Sequence, residues 1–129
     1  MTVNALWQLS SGTAATLSAG EARFSADLET ASGGSGLIPN PHDLLDAALA
    51  SCTVLTLQLY SKRKQYPLLA ASVDVCHEES GGVYRIKRSL HFTGDLTPEQ
   101  SADLLRVANV CPIHKALHGQ FEVTTDIVA

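Results

Sequence analysis

Short catalytic signatures are scarce in this sequence of 129 residues. No G-x-G-x-x-G and no P-loop offers a cradle for phosphate, so a nucleotide cofactor is not expected. Gly33, Gly34 and Gly36 read as plain loop glycines. No G-x-S-x-G marks a serine hydrolase. There is no C-x-x-C and no H-E-x-x-H, and neither Cys76-His77 nor Cys111 with His114 gives the paired spacing of a structural zinc site. The expectation is therefore no metal and no cofactor.

Charge is also sparse. Charged residues make up 17% of the chain, with 9 basic against 13 acidic side chains and a formal charge of -4. Lys62-Arg63-Lys64 is the strongest basic cluster. It falls at an expected helix end, where cations meet the negative pole of the helix dipole. Nucleic-acid binding has no footprint here. The first residues carry no basic patch followed by an apolar run, so no signal peptide is expected. The apolar stretch from Leu44 to Leu59 carries Asp46 and is expected to be too short and too polar to span a bilayer. It reads as a buried core helix of a cytoplasmic protein without membrane attachment. The cysteines number three, an odd count that argues against a secreted disulfide scaffold.

What is present is a hydrophobic content of 45%, the balance of a folded chain. The length suits a single domain over residues 1–129. Segments 3–10 and 13–18, separated by Ser10-Ser11-Gly12, read as a hairpin, and Arg23 to Leu28 alternates as a strand. A loop rich in Gly and Ser runs from Ala31 to Pro39. Asn40, Pro41 and Asp43 then suit the N-cap, N1 and N3 positions of a helix. Asp43 there can bond back to the cap amide. The helix should run to about Lys64 and stop before Pro67. Leu45, Ala48, Cys52, Leu55 and Leu59 share one face, while Leu49, Val54 and Leu57 make much of the rest apolar. Such a helix is expected to be central, and its apolarity hints at a dimer that shares its core.

Ala71, Val73 and Val75 alternate on the next strand, Ser80-Gly81-Gly82 turns the chain, and Tyr84, Ile86, Arg88, Leu90 and Phe92 form one row of its partner. Thr97, Pro98 and Gln100 start a second helix as cap, N1 and N3. Cys111-Pro112 starts a short third helix through Leu117, which Gly119 is expected to end, and Phe121, Val123, Thr125 and Ile127 pattern as a last strand. The order βββ-α-ββ-αα-β with short turns implies an α+β fold with mainly antiparallel sheets around a long buried central helix.

Two cysteines invite a chemical reading. Cys52, inside the apolar helix, is either a small buried hydrophobe or a thiol that something else must activate. Cys111, at a helix start, faces backbone N–H groups that favour a thiolate, and His114 three residues on can add a proton acceptor or a positive charge. A capping or packing role for Cys111 is the alternative. Cys76, on a strand with nothing nearby to activate it, reads as structural or incidental.

The run from Asn40 through Pro41, His42, Asp43, Leu44 and on to Ala50-Ser51-Cys52-Thr53 resembles the central-helix signature of the OsmC/Ohr family. The run Cys111-Pro112-Ile113-His114-Lys115-Ala116-Leu117 resembles that family's second cysteine motif, and His114 and Thr53 fit its broader OsmC-like branch. The resemblance implies an intertwined homodimer and a two-cysteine peroxidase for organic hydroperoxides. Cys52 would be oxidised to sulfenic acid, Cys111 would close a disulfide on it, and a dithiol, lipoyl-type in some members, would reduce it. It also implies an N-terminal arginine beside the thiolate, for which Arg23 is the candidate, and an acid at the helix start. His42 stands where the acid should be and Asp43 follows one place later. Asp43 is nine residues before Cys52, nearly opposite it around the helix. The site expected from the resemblance is thus Cys52 and Cys111 with Arg23 and Asp43, with His42 and His114 at the substrate. The departure at His42 leaves a second expectation, a weakly active or non-catalytic dimer that binds a hydrophobic ligand or senses redox state.

Overall fold

The computed structural model describes residues 2–128. The chain forms two compact units, Met1–Ala47 and Ala48–Ala129. In the first, β1 (Val3–Leu6), β2 (Ala15–Ala19) and β3 (Ala22–Ala26) make an antiparallel sheet in the order β1-β2-β3. Val3 pairs with Ala19 and Leu17 with Phe24. The expected hairpin forms, but β1 stops at Leu6 because Leu9–Ser11 winds into a 3-10 turn. The buried Asp27 ties the following loop to β3. Its carboxylate accepts from the Thr13 hydroxyl at 2.7 Å and from the Leu28 and Ser35 amides at 2.8 and 3.1 Å. These bonds, that from Thr13 foremost, hold its carboxyl below the usual aspartate range.

The long helix α1 (Pro41–Lys64) has the bounds its punctuation predicts. Asn40 Oδ1 accepts from the Asp43 amide and Asp43 Oδ2 accepts from the Asn40 amide, each at 3.0 Å, a reciprocal capping box. At the other end Gln65 adopts φ 57, and the Tyr66 N–H reaches back to the Ser61 carbonyl at 3.0 Å. This is a Schellman closure, and Pro67 then forbids a further turn.

In the second unit β4 (Leu68–Ser80) and β5 (Val83–Gly94) form a long antiparallel hairpin. Gly81 and Gly82 both have positive φ, 58° and 75°. This is the two-residue turn whose twist matches that of the strands. Gly94 is bound to remain glycine, because a Cβ there would collide with the Pro67 carbonyl oxygen. Two helices follow, α2 (Pro98–Ala108) and α3 (Pro112–Leu117). Thr97 and Gln100 complete the expected capping box on α2, at 3.0 and 3.1 Å. Leu57, Leu104, Val107 and Ala108 form the core, against which Leu90, Phe92 and Leu68 pack. Leu57 and Leu104 are fully buried. Each contributes about 1.5–3 kcal/mol of hydrophobic stabilisation.

Three expectations need correction. First, α1 is not buried nearly all round: its buried residues form one stripe, Leu49, Thr53, Leu57 and Ser61, at steps of four. The face through Leu45, Ala48, Cys52, Leu55 and Leu59 is the open one, with Leu55 60% and Leu59 51% exposed. A helix apolar on most sides gives periodicity no means of choosing its buried face. By length and composition alone α1 could also cross a membrane. Its Leu57 instead belongs to the core it shares with α2. Second, the strand expected over 121–127 does not form, and Phe121, Val123 and Ile127 are exposed. Alternation sets which side of a strand is apolar, but a strand also needs a neighbour to bond. Third, α3 is closed by His118 with helical φ and ψ, so Gly119 supplies no left-handed cap.

Candidate active site

Cys111 occupies the N-cap of α3, as its position before Pro112 predicts. Its sulfur accepts the His114 N–H at 3.4 Å and the residue is fully buried. Opposite it stands Thr53, also fully buried, with Oγ1 4.0 Å from the sulfur. The Thr53 hydroxyl donates to the Leu49 carbonyl at 2.7 Å. Its one proton is committed there, so towards Cys111 and Arg88 it can only accept.

Arg88 is the group that sequence reading missed as a site residue. Its row on β5 is Tyr84, Ile86, Leu90 and Phe92, all half-buried, and the same pleat carries the guanidinium inward. Nη1 donates to Thr53 Oγ1 at 3.1 Å, and Nη2 donates to Asn109 Oδ1 at 2.8 Å and lies 3.3 Å from His114 Nδ1. The available signal was a lone cation in an apolar row, which is rare unless it has partners.

An arginine nitrogen can only donate, so His114 Nδ1 is the acceptor and the neutral ring carries its proton on Nε2. Burial first, then the charge of Arg88 and then His118, holds the His114 pKa below the ordinary histidine value. The His118 ring stacks on His114 at 4.5 Å and lies 2.9 Å from the His114 carbonyl through Nδ1.

Cys52 is half-buried, with Thr56 Oγ1 4.0 Å from its sulfur. It lines an open, mainly apolar depression of about 480 Å³ with Leu55, Leu59, Pro112 and Ile113. Residues of both cysteine motifs therefore meet at one surface. All three cysteines are free, and Cys76 is exposed on the outer face of β4. The remaining expected residues lie in the first unit. Arg23 is exposed and donates to the Gly20 and Ala22 carbonyls at 2.8 and 3.1 Å. Asp43 caps α1, and His42 is half-buried in its first turn. Among the described residues, no group of three or more His, Cys, Asp or Glu is placed to hold a metal ion.

The sequence matches the family model for OsmC-like protein over residues 33–126. The chain belongs to the OsmC-like family. No curated protein matches it. Among solved structures, an OsmC-like protein from Mycoplasma pneumoniae aligns with TM-score 0.77 at 17% identity, covering 92% of this chain and 86% of that one. An organic hydroperoxide resistance protein OsmC from Legionella pneumophila aligns with TM-score 0.64 at 22% identity, covering 92% and 90%. An organic hydroperoxide resistance protein from Elizabethkingia anophelis gives TM-score 0.65 at 23% identity, covering 92% and 89%. The OsmC-like fold, mixed α+β with antiparallel sheets and a long helix, is common to them and to this chain.

Proposed function

We propose that this OsmC-like protein is a thiol peroxidase that reduces organic hydroperoxides with Cys52 and Cys111. The observation that carries the reading is the shared apolar surface, where Cys52 lies beside Pro112 and Ile113, the residues that follow Cys111. An apolar surface suits the organic part of a hydroperoxide better than hydrogen peroxide itself. The Cys52 thiolate attacks the outer peroxide oxygen, an S–O bond forms, the O–O bond breaks, and the alkoxide leaves as an alcohol after taking a proton. Cys111 then attacks the sulfenic sulfur, water leaves, and a disulfide remains. A dithiol of the lipoyl type supplies two electrons and two protons to restore both thiols.

Within this proposal Arg23 is the cation that family resemblance assigns to the Cys52 thiolate and Asp43 the acid of the helix start. His42 and His114 are the substrate contacts. The working form is a cytoplasmic homodimer. The open face of α1 and the unpaired alternating segment Phe121, Val123 and Ile127 both support it, since each presents apolar side chains that a second copy could cover. Cys52→Ser should abolish consumption of cumene hydroperoxide with dihydrolipoamide as reductant, and a variant with full activity would remove Cys52 from the mechanism.

The same apolar lining favours a second reading, a dimer that binds a hydrophobic ligand or senses redox state. Complete burial of Cys111 also favours it, since a buried thiol resolves slowly unless its turn moves. Purified protein that retains an apolar ligand and consumes no hydroperoxide supports this reading; rapid turnover by ligand-free protein excludes it.

A further inference from the structure

Arg88 is half-buried, and among the described residues it bonds a hydroxyl, an amide oxygen and a ring nitrogen, all three of them neutral groups. None of these three contacts is a salt bridge. Each partner instead belongs to a cysteine motif or its border. Thr53 follows Cys52, Asn109 closes α2 two residues before Cys111, and His114 is the residue whose amide bonds the Cys111 sulfur. One planar fork thus spans the helix of the first thiol and both sides of the turn that holds the second. A lysine, whose three donors radiate from one nitrogen, does not reproduce this planar fork of two nitrogens.

We propose that Arg88 is the positioning residue for the pairing of Cys52 with Cys111, holding the Cys111 turn against α1 and locking His114 as its neutral Nε2–H form. The pairing role rests on the two-cysteine reading above; the histidine form does not. In chemical terms Arg88 leaves the first oxidation of Cys52 to other groups and acts on closure. With the fork in place the Cys111 turn is registered on Thr53, one residue from Cys52. Without it the turn keeps the His114 amide, the α2 end and the 4.0 Å contact of the Cys111 sulfur with Thr53, but loses the fork that ties Asn109 and His114 to α1. The sulfenic acid then persists, because closure needs the two sulfurs in a narrow geometry.

The test uses the full-length protein and two oxidants. Cumene hydroperoxide must pass through a Cys52 sulfenic acid, whereas diamide, an azodicarboxamide, takes two hydrogens from a thiol pair without one. Arg88→Met is expected to slow formation of the Cys52–Cys111 disulfide about tenfold with both, and with the hydroperoxide to divert Cys52 to dimedone trapping. Arg88→Lys is expected not to restore closure. In wild-type protein the ¹⁵N spectrum of His114 should show Nδ1 without a proton and Nε2 protonated. Should Arg88→Met fail to fold, Asn109→Ala removes one of the three partners and should slow closure in the same direction.

Closure at the wild-type rate in Arg88→Met, or in Asn109→Ala where that variant stands in, overturns the proposal. So does protonated Nδ1 in wild-type His114, or a wild-type protein in which diamide closes no Cys52–Cys111 disulfide. If wild type resists the hydroperoxide while diamide closes it and closes Arg88→Met slowly, the peroxidase reading falls and the assignment of Arg88 stands.

Discussion

The Arg88 guanidinium donates to the Thr53 hydroxyl across 3.1 Å, so that β5 is bonded to the residue immediately after Cys52. This contact joins sequence positions 35 apart and sets where the open face of α1 lies. With Thr53 turned in towards Arg88 and Cys111, Cys52 is about 100° further round the helix, on the open apolar surface.

Thr53→Val keeps the side-chain shape and removes the acceptor. It should cost about 1–3 kcal/mol, since a charged, half-buried donor loses its partner. Urea unfolding of the variant against wild type measures this. A loss below the error of that measurement would mean that Arg88 finds another acceptor at no cost.

Leu104→Ala deletes a fully buried side chain from the core cluster that holds α2 against α1. The expected loss is about 2–5 kcal/mol, again by urea unfolding. Leu55→Ala, on the open face of α1, should cost far less in a monomer. A large loss at Leu55 that depends on protein concentration would place a second copy on that face.

Asp103 accepts hydrogen bonds from Tyr60 at 2.6 Å and Tyr66 at 2.8 Å and pairs with Arg106 at 2.8 Å. The Tyr60 bond first, then those from Tyr66 and Arg106, hold its carboxyl down at about 2, while the Tyr66 phenol is pushed up to about 12 chiefly by Asp103. A depressed acid contributes stability above its unfolded value, lost as pH falls through the folded one. Thermal stability should therefore drop from about pH 4 towards pH 2 and also from about pH 10 towards pH 12. Asp103→Asn should flatten the acid limb; an unchanged limb would assign acid sensitivity elsewhere, with Asp27 the next candidate.

His114 should titrate below the ordinary histidine range, since burial and then Arg88 disfavour its charged form. The unfolded chain takes up that proton first, so this group destabilises the fold as pH falls below about 6.5. Arg88→Met removes the second cause and should raise the His114 pKa, read from the ring protons by NMR. No upward movement would mean that burial alone sets it.

The helices were legible because their signals are local. Asn40 with Asp43, Thr97 with Gln100 and Cys111 before Pro112 each declare a helix start within four residues. Gly81-Gly82 declares a hairpin in two. Arg88 was not legible as a site residue, because what makes it one is convergence with Thr53, Asn109 and His114 from three other segments. Nor was the buried face of α1, where Leu49 and Leu57 compete with Leu55 and Leu59 on equal hydrophobic terms. The segment from Phe121 to Ile127 alternates as a strand would, but no local pattern contains the strand that must bond to it, and none forms there.

The proposed cycle makes Cys52 and Cys111 one redox pair. The most direct measurement is the intact mass of reduced protein after one equivalent of an organic hydroperoxide. The two-cysteine cycle requires loss of two hydrogens in wild type and no such loss in Cys52→Ser or Cys111→Ser. An unchanged mass with the peroxide still present, or the same loss in either variant, would contradict it.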